Sequence, residues 1–236
     1  MQPELQPVRS NQNTQGTFGT AISAESQKVL RNTYLLLALT MVPTIAGAFI
    51  GMATASVLVQ NPIISTLIML AAVIGLQFAI VANRNSMLGV VFLLLMTGLL
   101  GWFLGPLLNH TLDLKNGAQL IGYAAGGTAV VFLVMGAIAT TTKRDFSFMG
   151  KFLFVGMIAL LIAMIANMFL QIPALALTIS TLVIVVFSLF LLHDLSRIVT
   201  GGETNYIMAT TGVYLSLFNI FANLLQILGI FGGSRD

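Results

Sequence analysis

Where a long apolar run ends at Leu192, residues capable of chemistry follow at once: His193, Asp194 and Arg197. Asp194 and Arg197 are three apart, so on a continuing helix they share a face and can pair. A carboxylate in this position is either the polar cap of a membrane helix reaching water or a charge placed to handle a proton or cation. From Ala174 to Asp194 a helix rises about 30 Å, which puts Asp194 at the edge of a hydrocarbon layer and not at its middle. Arg31, at the head of the first apolar run, and Glu203 and Tyr206, just past Gly201-Gly202, are further candidates.

A second constellation lies downstream. Ser216, Asn219, Asn223 and Gln226 are spaced three, four and three residues apart, which makes one polar stripe on an otherwise apolar helix. Facing lipid, its amides would lack partners. The stripe is therefore expected to face a bundle interior, as interhelical hydrogen-bond glue or as the lining of a hydrated path. Asn167 and Gln171, four apart, could extend the same polar interior.

Other chemistries find no residues to carry them. There is no G-x-S-x-G, no H-E-x-x-H and no phosphate-cradling loop. The alternating acidic residues of a calcium loop are missing too. Cysteine is absent, which excludes disulfides and thiolate catalysis. His110 and His193 are the only histidines, and they fall on opposite sides of the membrane in the topology below, too far apart for a shared metal. No lysine follows Lys151, so no late helix can carry a Schiff base. No catalytic, cofactor-binding or metal-ligating set is expected, and calcium would enter only as a permeant ion.

The elements that hold these residues are read from composition. Of 236 residues, 57% are hydrophobic and 7% charged. A soluble domain carries about a quarter charged residues. Apolar runs of membrane-spanning length recur along the chain, so it is an all-α polytopic membrane protein with the bilayer as its first partner. Nucleic-acid binding is not implied.

Seven spans are predicted: approximately Val29–Met52, Pro62–Ala82, Met87–Gly105, Gly117–Thr141, Phe152–Leu170, Pro173–Leu192 and Ile207–Ile230. Breaks fall at Gln60-Asn61-Pro62, Asn83 to Ser86, Pro106 to Asn116, Lys143 to Asp145, Gln171-Ile172-Pro173 and Gly201 to Glu203. With the N-terminus inside, Arg9, Lys28, Arg31, Arg84, Lys143, Arg144, Lys151 and Arg197 fall on the cytoplasmic side, and only Lys115 and Arg235 outside. That bias predicts an N-in, C-out topology.

Residues 1–24, rich in Gln, Asn, Ser, Thr and Pro, read as a disordered cytoplasmic tail ahead of a membrane domain over 25–231 and a short C-terminal tail over 232–236. Small residues four apart at Gly47/Gly51, Gly101/Gly105, Gly122/Gly126 and Ala159/Ala163 are expected to pack helices within the bundle. A homo-oligomer is the lesser use of the same spacing.

Several stretches carry a resemblance. "KVLRNTYLLLALTMV", "LLGWFLGPLLN", "GGTAVVFL", "TTKRDFSFMG", "ANMFLQIPAL" and "GGETNYIMATTGVYLSLFNIFANLLQILG" are similar to the Bax inhibitor-1 family, over roughly Glu25 to Gly229. The match resembles most the proteobacterial branch, whose members act at the bacterial inner membrane as modulators of the AAA protease FtsH. The resemblance implies seven helices with the last surrounded by the others, and no catalysis. It also implies, as an alternative function, a pH-influenced calcium or proton leak controlled by two aspartates on the last two helices. Asp194 matches the first of these; Ser216 stands at the second. Two carboxylates sharing a proton form a sensor, and a lone Asp194 lacks that coupling. Asp194, Arg197, Ser216, Asn219 and Asn223 are the residues such a gate or polar pathway would use. The modulator reading instead gives the tail a task, as the flexible cytoplasmic end that such a protease draws in.

Overall fold

The computed structural model describes residues 22–142 and 144–232. Within them the chain forms eight helices: α1 (Ala24–Ala53), α2 (Ala55–Gln60), α3 (Pro62–Ala82), α4 (Met87–Leu112), α5 (Gly117–Thr142), α6 (Met149–Leu170), α7 (Pro173–Val199) and α8 (Tyr206–Gly232). All but the short α2 are long and apolar enough to cross a membrane, which makes seven spans.

Local chemistry sets the ends. Ser23 Oγ accepts from the Ser26 amide and opens α1. The helix thus begins before the predicted Val29, and the tail expected over 1–24 gives up its last residue to α1. Its first 21 residues, like 233–236, lie outside the described residues. Pro62 and Pro173 stand in the first turns of α3 and α7, where a missing N–H costs nothing. Gly201, at φ 80°, turns the chain out of α7 in a conformation other residues resist.

Two expectations are corrected. The third span does not stop at Gly105; α4 runs through Pro106 to Leu112. Pro106 cannot donate to the Trp102 carbonyl four residues back. That carbonyl instead faces α1, where a Cβ on Gly51 would lie 2.0 Å from it. The helix survives because a neighbouring backbone fills the gap that proline opens. Second, Asn167 and Gln171 do not join a polar interior. Asn167 Oδ1 accepts from the Ile172 amide, and Gln171 closes α6 in the left-handed region, so both build the α6–α7 turn.

The core forms three clusters, and α8 supplies residues to each: Val213 and Ile220 to one, Ile207 and Tyr214 to the next, Leu225 to the third. Helices α1, α4, α5 and α7 pack on α8, with α3 touching it more lightly, while α6 packs chiefly on α7. The last helix is the axis of the bundle. Large apolar side chains such as Phe78, Leu133 and Phe152 cover the outside, a surface that suits acyl chains and not water.

The glycine pairs divide. Gly47 and Gly51 of α1 lie against Gly98, Trp102 and Gly105 of α4 at backbone contact, and Gly101 lies against Thr44, as expected of intramolecular packing. Gly122 and Gly126 have the same spacing but meet nothing: a Cβ on either would have no neighbour within 4 Å. Ala159 is likewise exposed.

Candidate functional site

Three connections and the start of α1 meet at one end of the bundle. Asn205, between α7 and α8, caps α8 by accepting from the Ile207 and Met208 amides. Its amide nitrogen donates to the Arg84 carbonyl (2.8 Å) and to Asn85 Oδ1 (2.9 Å), tying this turn to the α3–α4 turn. The fully buried Ser196 of α7 donates to the Arg144 carbonyl (2.7 Å) and accepts from the Phe146 amide (3.3 Å), which holds the α5–α6 connection. Gly201 lies close to Ser26 at the start of α1.

Beneath these turns is a cavity of about 160 Å³ lined by Gln77, Asp194, Arg197, Glu203, Met208 and Gly212, with Ala209 beside them. Asp194 is mostly buried, and each carboxylate oxygen has a different neighbour. Oδ1 lies 3.0 Å from His193 Nδ1. Oδ2 presses on α8 at Gly212, where a Cβ would sit 2.5 Å from it. Across the cavity, Gln77 Oε1 of α3 is buried without a hydrogen-bond partner. Such an acceptor is costly to leave dry.

Asp194 and Arg197 share this cavity, as their spacing predicts, but they do not pair as expected. The Arg197 guanidinium reaches forward to Glu203 (3.3 Å) and donates to the Gly202 carbonyl (3.2 Å). The reason is the Gly201 turn, which folds Glu203 back over the end of α7, where its other oxygen accepts from the Asn205 amide. The ion pair roofs the cavity while His193 takes the place expected of Arg197. On the far side of α7, His193 Nε2 lies against Gly150 of α6. Outside the cavity, Asp145 is fully exposed, and its hydrogen bonds from Ser147, aided by His193 and Arg197, hold its carboxyl below the usual range.

The chain matches, over residues 26–233, the family described as inhibitor of apoptosis-promoting Bax1. It belongs to the Bax inhibitor-1 family. It is 44% identical over 212 residues to a protein of Escherichia coli K12 named modulator of FtsH protease YccA, covering 89% of this chain and 93% of that one. A membrane protein of Vibrio cholerae is 44% identical over 206 residues, 87% of this chain and 91% of the relative. A Campylobacter jejuni relative is 34% identical over 216 residues, 91% and 93% of the two chains.

The remaining predicted residues of this Bax inhibitor-1 chain lie apart from the cavity. Ser216 and Asn223 are buried, and Asn219 and Gln226 half-buried, so the stripe does face inward. One N–H of each asparagine is used locally: Asn219 donates to the Leu215 carbonyl and Asn223 to the Asn219 carbonyl, each four residues back. Arg31 is exposed on α1 and Tyr206 on α8. Sequence reasoning missed Gln77, Asn205 and Gly212. Gln77 carried a signal, being a lone amide within an apolar span. Asn205 carried another, as an Asx residue just before a helix. Gly212, four residues before Ser216, is small-xxx-small with it and so lies on the stripe's own face.

Among the described residues no group of three or more His, Cys, Asp or Glu side chains could hold a metal.

Proposed function

We propose that this chain is a non-catalytic, multi-pass protein of the bacterial inner membrane that binds and restrains the membrane-bound AAA protease FtsH. The carrying observation is identity at 44% over 89% of the chain to a protein named for that modulation. The orientation is N-in and C-out. It is supported by the turns described above, which bring Arg84, Arg144 and Arg197 to the end of the bundle where α1 begins. The N-terminal tail then lies in the cytoplasm, where the protease can engage it, and the packed bundle resists being drawn in after it.

The test is native co-purification from membranes and turnover of the chain, with and without residues 2–21. That deletion leaves Ser23, and hence the α1 cap, in place. The truncated chain is expected to insert, to persist longer and to lose its effect on the protease. Unchanged turnover together with an unchanged effect refutes the proposal.

The cavity supports a second reading, a proton or cation leak with calcium as a permeant ion. Its basis is a mostly buried carboxylate and an unpartnered amide oxygen, Asp194 and Gln77, on the lining of one cavity. Liposomes loaded with calcium- and proton-sensitive dyes test it. If Asp194→Asn leaves flux and its pH dependence unaltered, this reading fails.

A further inference from the structure

The structure assigns resistance to extraction to one stretch, the end of α1 after Pro43, from Thr44 to its C-cap Thr54. The role of this seam in restraining a protease rests on the function proposed above; its mechanical role does not.

Helix α1 is divided by Pro43, which cannot donate to the Leu39 carbonyl and so removes one rung of the helix. Before Pro43, α1 meets its neighbours chiefly through side chains such as Val29 and Leu36, seated in the core clusters, with one long hydrogen bond from Thr210 Oγ1 to the Thr33 carbonyl (3.4 Å). After Pro43, it meets α4 through backbone. A Cβ on Gly47 would lie 2.1 Å from the Gly98 carbonyl oxygen, and one on Gly51 2.0 Å from that of Trp102. The contact is reciprocal, since a Cβ on Gly101 would lie 2.1 Å from the Thr44 oxygen. Each glycine therefore turns a Cα hydrogen towards a carbonyl of the other helix, a weak bond repeated along the seam.

Directional bonds lock the same segment. Asn109 donates to the Met52 carbonyl (2.8 Å), and Trp102 Nε1 donates to Thr54 Oγ1 (2.8 Å). Thr44 Oγ1 and Tyr214 OH, on the axial helix, lie 2.8 Å apart. Backbone in contact with backbone cannot yield by side-chain repacking; it is either closed or open. A pull on the N-terminus thus meets side-chain contacts up to Pro43 and then the seam. Opening the seam also detaches α1 from α4 and α8 together.

Two measurements test this on the full chain. In the first, single molecules in a bilayer are pulled from the N-terminus. Release is expected in two steps, the first ending near Pro43, with Gly51→Ala lowering the force of the second step and leaving the first alone. A single step, or a Gly51→Ala trace like that of the parent, overturns the assignment. Asn109→Ala, which removes one interhelical bond and no packing volume at the glycines, replaces Gly51→Ala if that variant does not insert.

The second measurement is ATP-dependent degradation by FtsH in proteoliposomes. Asn109→Ala is expected to speed degradation about threefold, the weight of one interhelical hydrogen bond in a membrane. Leu153→Ala, at the buried position of α6, is expected to lower thermal stability without that acceleration. Equal acceleration by both variants at matched stability overturns the seam as the specific restraint. Degradation that is indifferent to loss of residues 2–21 defeats the proposed engagement of the tail, and the two-step force trace then still decides the mechanical claim.

Discussion

Gly212→Ala is the sharpest probe of the geometry at Asp194. The added methyl would lie 2.5 Å from Asp194 Oδ2 and 3.1 Å from its Cγ, so the carboxylate must retreat or α7 and α8 must separate. Asp194 has little room to retreat, because its other oxygen is held 3.0 Å from His193 Nδ1. Overpacking of this kind costs about 1–3 kcal/mol. Taken alone, however, glycine to alanine inside a helix is favourable by about 1 kcal/mol. The two effects have opposite signs and can be separated with one further substitution. In the parent, the two together give a destabilisation of about 0–2 kcal/mol, lowering the midpoint of unfolding by about 2–4 °C for each kcal/mol. In an Asp194→Ala background the obstacle is gone, and the same change should be neutral or stabilising by up to about 1 kcal/mol. Unfolding in micelles, followed through the single tryptophan, Trp102, gives all four corners of the cycle. Additivity within about 0.5 kcal/mol would show that the carboxylate does not rest on Gly212, and the reasoning would be wrong.

Three other outcomes follow from the turns around the cavity. Asn205→Ala removes the α8 cap and both bonds to the α3–α4 turn, so a loss of about 1–3 kcal/mol is expected, with faster amide exchange over 206–209 and 83–86. Ser196→Ala strips a bond from the Arg144 carbonyl and another from the Phe146 amide. It should cost about 1–2 kcal/mol and raise exchange over 144–148. Asp145 has a carboxyl held below its unfolded value, so its contribution to stability is present above that value and is lost as pH falls through the folded one. Ser147→Ala removes the side-chain bond, the largest cause, and should move the Asp145 carboxyl resonance back towards the ordinary range in an NMR titration.

The spans were legible in sequence because their limits are local. Pro62 and Pro173 start helices wherever they stand at a first turn, and Asn83 to Ser86 is polar enough to end one. Pro106 misled for the complementary reason. Its effect on α4 depends on what meets the Trp102 carbonyl, and Gly51 lies on another helix. The glycine pairs show the same limit. Gly47/Gly51 and Gly122/Gly126 have one spacing, yet the first pair touches α4 and the second faces outward, because spacing fixes a shared face and not the direction of that face. At the site, periodicity put Asp194 and Arg197 on one face correctly. It could not foresee that the Gly201 turn would carry Glu203 back to Arg197, since that contact depends on chain reversal.

The surroundings of Asp194 also separate the two functional readings. The resemblance implies a second carboxylate at the position of Ser216, but α8 meets Asp194 one turn earlier, at Gly212, which brings the helix axes close. The carboxylate's polar neighbour comes from His193 within its own helix, and the roof of the cavity is a separate ion pair, Arg197 with Glu203. Closure of this end of the bundle therefore does not require Asp194 to share a proton with α8. A protein that restrains a protease by remaining folded can use that closure, supplied by Asn205, Ser196 and the ion pair, beside the α1–α4 seam, with no titration at Asp194. A leak needs more, because an ion must pass the Arg197–Glu203 pair and then find stations beyond the cavity. Asp194→Asn keeps the size and bonding of the side chain and removes its charge. It should leave the proposed effect on the protease intact, and it alters flux only if the cavity lies on a path.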